Sequence, residues 1–84
     1  MTELNKMKNI GKEMMRKLQT IGIKSAEELK FTGSKEAFFQ LKQRFPEVCL
    51  VHLYTLEGAI TDTNFNELPE ETKKDLKAFF DEWK

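Results

Sequence analysis

Apolar residues in this chain recur at spacings of three and four, and apolar–polar alternation is nearly absent. That period predicts helices and no sheet. The first helical pattern runs from Ile10 or Gly11 to Ile21, with Ile10, Met14, Leu18 and Ile21 on one face, and Leu4 and Met7 add a short lead-in turn. Gly22 suits the left-handed position past a helix end, and Ile23 can fold back onto the last turn. A second helix, Ser25 to Lys30, opens on a capping box of Ser25 and Glu28 and offers Ala26, Leu29 and Phe31 as its apolar side. Thr32-Gly33-Ser34 interrupts the pattern, and Ser34 is placed to cap a third helix from Lys35 to about Arg44. Phe38, Leu41 and Phe45 form its stripe, with Ala37 and Phe39 beside them. Pro46 closes it, because a proline disfavours helical geometry in the residue before it.

The fourth segment, about Glu47 to Thr61, is the most apolar. Cys49, Leu53, Leu56 and Ile60 make one seam, and Leu50, Val51 and Tyr54 carry apolar surface well around the helix, as expected of a central element. Asp62 to Leu68 is a polar loop containing Phe65. Pro69 fits a first helical position, followed by Glu70 and Glu71 in a favourable first turn. Leu76, Phe79, Phe80 and Trp83 then fall at i, i+3, i+4 and i+7. The pattern predicts an all-α, compact five-helix domain spanning residues 1–84 as a single unit.

With 84 residues, one modest core is affordable and two are not. No apolar run approaches the roughly 20 residues that cross a bilayer, and the polar N-terminus lacks the apolar stretch of a signal peptide. One cysteine, Cys49, leaves no internal disulfide, so a cytoplasmic location and no membrane partner are the expectation. The net charge is zero, which excludes a generic polycation. It is unevenly spread: residues 1–44 hold ten Lys/Arg against five Asp/Glu, and residues 45–84 hold four against nine. A basic half can face an anion while an acidic half limits indiscriminate adhesion, although a local surface bias has the same appearance.

Asn9-Ile10-Gly11, at the head of the first helix, is where chemistry is suggested. A tight turn into a helix presents unpaired N–H groups and the positive end of the dipole, which together favour a phosphate. Together with the following helix, the Gly22 stop and the capped second helix, it reads as a helix-hairpin-helix unit, which contacts nucleic-acid backbone without reading sequence. The usual pattern has two glycines around a hydrophobic residue. Here the first is Asn9, which tolerates a left-handed backbone better than most residues. The candidate nucleic-acid-binding set is Lys8, Asn9, Gly11, Lys12, Arg16 and Lys17, with Lys6 nearby. The same residues also read as a tight helix start among ordinary surface lysines.

Other groups carry less. His52 has no Ser, Cys or Asp partner arranged by sequence and reads as a helix-surface or partly buried residue. Cys49, on the apolar seam, reads as an inert core thiol. Asp62-Thr63-Asn64-Phe65-Asn66 resembles the start of a calcium loop, but Glu67 and Lys73 stand where Gly and Glu are required, so calcium is rejected. No metal-ligand spacing, Walker loop or activated nucleophile occurs. The expectation is no enzyme, no cofactor, no metal and no small-molecule substrate. Gly58 in the apolar fourth helix costs about 1 kcal/mol relative to Ala, which suggests close approach by another helix, within the chain or from a dimer partner.

Asn9-Ile10-Gly11, Leu18, Ile21-Gly22-Ile23, Glu28-Leu29, Leu53-Tyr54-Thr55-Leu56-Glu57-Gly58-Ala59 and Leu68-Pro69 together resemble the C-terminal domain of the TfoX/Sxy competence regulators, over about Leu4 to Leu76. The resemblance implies a compact helical unit of helix-hairpin-helix character, here standing alone. It also implies a link to the positive control of genes for natural DNA uptake. The leading expectation is therefore a non-enzymatic module contacting nucleic-acid backbone, DNA being the candidate partner with RNA left open, in competence or transcription control. The alternative is a protein-interaction adaptor or homodimerisation module, docking through a stripe such as Phe79 and Trp83 or through the acidic half.

Overall fold

A computed structural model describes residues 2–82. It shows an all-α fold of five helices: α1 Lys12–Thr20, α2 Ala26–Thr32, α3 Ser34–Arg44, α4 Leu50–Thr61 and α5 Glu70–Asp81, with single 3-10 turns at Leu4–Lys6 and Phe65–Glu67. The lead-in turn and all five helices match the periodicity. α4 is central, packing on α2, α3, α5 and the second 3-10 turn, while α1 rests on α3. The core between them contains Leu18, Leu29, Phe38, Leu41, Leu53 and Leu56, all fully buried.

Local chemistry explains most boundaries. α1 ends in a Schellman motif: Gly22 adopts φ 92°, its N–H donates to the Gln19 carbonyl at 3.1 Å, and the Ile23 N–H reaches the Leu18 carbonyl at 2.9 Å. Ile23 is buried as a result. Ser25 caps α2, its Oγ accepting the Glu28 N–H at 3.2 Å. The Glu28 carboxylate reaches back to the Lys24 N–H at 3.3 Å, one residue earlier than a standard box.

Several placements differ from the sequence expectation. Phe31 is 93% exposed: α2 turns Ala26 and Leu29 inward, and a residue two after Leu29 lies about 200° further round the helix. α2 continues to Thr32, and Gly33 (φ 89°) both ends it and caps α3. Ser34 is thus inside α3, not its cap, and its buried hydroxyl donates to Glu57 Oε1 at 2.6 Å. α4 starts at Leu50, not Glu47, and Pro69 is the N-cap of α5 instead of its first residue. Cys49 is the extended N-cap of α4 (φ −134°) and is exposed, so it is not a core thiol. Outside the helix it cannot follow the Leu53 seam, and Val48 takes the inward place at 1% exposure. On α5, Leu76 is buried and Phe79 and Phe80 are half-buried, with the Phe80 ring 5.9 Å from that of Phe38. Trp83, expected on the same stripe, lies outside the described residues.

Candidate nucleic-acid interface

The turn before α1 takes its left-handed backbone at the residue whose tolerance for it the sequence indicated. Asn9, not Gly11, holds the left-handed backbone, at φ 72°. Ile10 is buried and anchors the turn to the core. Gly11 is the extended N-cap of α1, at φ −98° and ψ −174°, and no side chain caps the helix there. A Cβ on Gly11 would meet nothing within 4 Å. Neither backbone angle nor crowding demands glycine, and the place a Gly11 side chain would take is open. The first N–H groups of α1 have no partner within the helix and carry the positive end of its dipole. Glu13 stands in the same first turn and offsets part of that field.

The six candidate residues divide into two groups. Lys8, Gly11 and Lys12 are exposed around the helix start, and among the described residues neither lysine enters an ion pair. The other three have partners inside the fold. Arg16 pairs with Glu13 at 2.7 Å, both side chains remaining largely in solvent. Lys17 is more enclosed, 3.7 Å from Glu47 and 5.5 Å above the Phe45 ring.

Asn9 turns its side chain inward. Its amide Nδ2 donates to the Thr63 carbonyl at 2.9 Å, and its Oδ1 accepts the Phe65 N–H at 3.4 Å. This clamp ties the turn before α1 to the connection between α4 and α5. It also explains Gly58, where a Cβ would run into the Asn9 amide and the Thr63 carbonyl. The close approach suggested by a glycine in α4 is therefore real, but it comes from a loop and a side chain and not from another helix. Asn9 and Gly58 are separated by most of the chain, and only the left-handed tolerance of the one and the helical cost of the other hinted at their pairing.

Beside the turn, α1 and α4 frame a shallow hollow of about 330 Å³, bordered by Gly11, Glu13, Lys17, His52 and Thr55. His52 has a partner that sequence spacing did not suggest: its Nδ1 accepts the Cys49 N–H at 3.0 Å and lies 3.5 Å from the Cys49 thiol. Its pKa is pushed below the ordinary value of 6.5, chiefly by burial and then by the Lys17 charge. At neutral pH the hollow therefore gains no cation from His52, and its positive charge comes from Lys17. Among the described residues, no group of three or more His, Cys, Asp or Glu is placed to hold a metal, and no helix is long and apolar enough to cross a membrane.

The comparisons agree on architecture. The model of the TfoX C-terminal domain family matches residues 1–80. A crystal structure of an uncharacterized protein from Listeria monocytogenes, in a triclinic form, is 39% identical, with a TM-score of 0.95 over 98% of this chain and 93% of that one. A tetragonal form of a Listeria monocytogenes protein of unknown function, also 39% identical, gives 0.94 over 98% of this chain and all of the other. No curated protein matches the chain.

Proposed function

From membership of the TfoX C-terminal domain family, to which this chain belongs, we propose a non-enzymatic module that grips nucleic-acid backbone in competence or transcription control. The observation carrying this reading is the start of α1, an end without a side-chain cap whose Gly11 has clear space where a side chain would stand, with Lys8 and Lys12 exposed close by in the chain. A phosphate seated there would accept N–H groups from the first turn and gain charge from the two lysines. Gly11 leaves room for the approach. Asn9 and Ile10 hold the turn in shape, and Arg16 and Lys17 add positive potential further along α1. Contact of this kind positions the module on DNA without choosing a sequence.

About two to four phosphates fit so small a surface, so log affinity should fall with log salt at a slope of about −2 to −4. The test is fluorescence anisotropy on a short labelled duplex across a salt series, comparing the wild type with Lys8→Glu/Lys12→Glu. The reading predicts weak, salt-sensitive binding that the variant loses. Binding that ignores salt, survives the double substitution or is absent at low salt overturns it.

A further inference from the structure

We infer that the groove between α3, α4 and α5 is the docking site for Phe31 of a second copy of this chain, forming a two-fold dimer. The groove has a volume of about 840 Å³, ample for an aromatic side chain with its flanking backbone. Its apolar surface comes from Phe39, Ile60, Leu76 and Phe79, and Glu36 and Glu71 stand on its border. Among the described residues neither of those two carboxylates enters an ion pair, and Glu36 accepts only a neutral hydrogen bond, from Gln40 Nε2 at 3.0 Å. Of the inner carboxylates, Asp75 is paired with Lys35 at 2.7 Å and Glu57 accepts the Ser34 hydroxyl, so the border keeps a negative charge without a counter-ion. An occupant should therefore bring an apolar group for the floor and a cation for the border.

The chain supplies both in adjacent residues. Phe31, at 93%, is the most exposed large hydrophobic residue described. Lys30 beside it is exposed and, among the described residues, makes no ion pair. Phe31 cannot be the occupant of its own groove at that exposure. Yet Thr32 and Gly33, which follow it directly, line the rim. A projecting knob and a fitting hollow therefore lie side by side on one molecule. This is the arrangement a two-fold axis makes self-complementary: each copy gives a Phe31 and receives one, and Lys30 of each faces the other's Glu36 and Glu71. The charge match makes the chain's own Lys30-Phe31 pair a suitable occupant and would disfavour an acidic one. The dimer does not depend on the nucleic-acid reading, since it uses none of that site's residues.

Sedimentation velocity on the full chain, from about 10 µM to about 1 mM, tests the dimer directly. The wild type should show a reversible monomer–dimer equilibrium, and Phe31→Ser should weaken it by about tenfold or more, the effect of losing a central aromatic anchor. Lys30→Glu and Glu36→Lys/Glu71→Lys should each weaken self-association by repulsion. Mixed together, those two variants should associate again, because both charge contacts are then opposite in sign. Far-UV circular dichroism confirms that each variant is folded. A wild type that stays monomeric, a dimer indifferent to Phe31→Ser, or charge variants that fail to recover on mixing overturns the proposal. So does a monomer whose groove takes only an unrelated basic peptide.

Discussion

Replacing Gly58 with alanine separates the helical cost of glycine from the packing reason for keeping it. By propensity alone, Gly→Ala in the interior of α4 should stabilise the protein by about 1 kcal/mol. Gly58 is buried, however, and its missing Cβ is where the Asn9 amide and Thr63 carbonyl approach. The Asn9 side chain can rotate away at the loss of its 2.9 Å hydrogen bond to Thr63, worth about 0.5–1.5 kcal/mol. The Thr63 carbonyl is backbone, held near α4 because its own N–H donates to the Gly58 carbonyl at 2.8 Å. Moving it adds an overpacking cost of about 1–3 kcal/mol. Taking the middle of these ranges, Gly58→Ala should destabilise by about 2 kcal/mol, lowering Tm by roughly 8–16 °C for a domain this size. Urea and thermal unfolding followed by circular dichroism measure it. Asn9→Gly, which keeps the left-handed turn but removes the clamp, should be less stable than wild type. In that background the penalty of Gly58→Ala should shrink, since one of the two collisions has gone, and the pair should couple by about 0.5 kcal/mol or more. A stabilised Gly58→Ala, or purely additive effects, would refute the clamp.

Two further outcomes follow from the same contacts. Ser25→Ala removes the oxygen that accepts the Glu28 N–H at the start of α2, and denaturant unfolding should show a loss of about 0.5–2 kcal/mol. His52 has a folded pKa below 6.5, so in the acid range the unfolded chain binds its proton more readily than the folded one. Its contribution is therefore intact above pH 6.5, and stability falls as pH drops from there toward the lower folded value. His52→Gln should flatten that part of the pH–stability curve, and equal slopes for variant and wild type would contradict the burial argument.

The elements were legible because local rules govern them. The Gly22 stop, the Ser25 cap and the spacing around Leu53 and Leu56 need no knowledge of distant residues. What escaped sequence reasoning depends on the third dimension. Phe31 falls on the wrong side of a short helix, where one turn offers too few positions to define a face. Cys49 shares a helical period with Leu53 but lies one residue outside α4, so the period does not apply to it. At the candidate interface the exposed lysines and buried Ile10 were readable. The inward turn of Asn9 was not, because its partners Thr63 and Phe65 lie 54 and 56 residues away. Arg16 and Lys17 looked available in a list of basic residues, whereas folding sets Glu13 and Glu47 beside them.

The proposed phosphate contact at the start of α1 can be tested atom by atom with amide chemical shifts. Titration of ¹⁵N-labelled protein with a short DNA duplex at low salt should move the Gly11, Lys12 and Glu13 N–H signals together with that of Lys8. Added salt should reverse those shifts. Unmoved signals at these four residues, with changes elsewhere or none at all, would contradict a nucleic-acid contact at this turn.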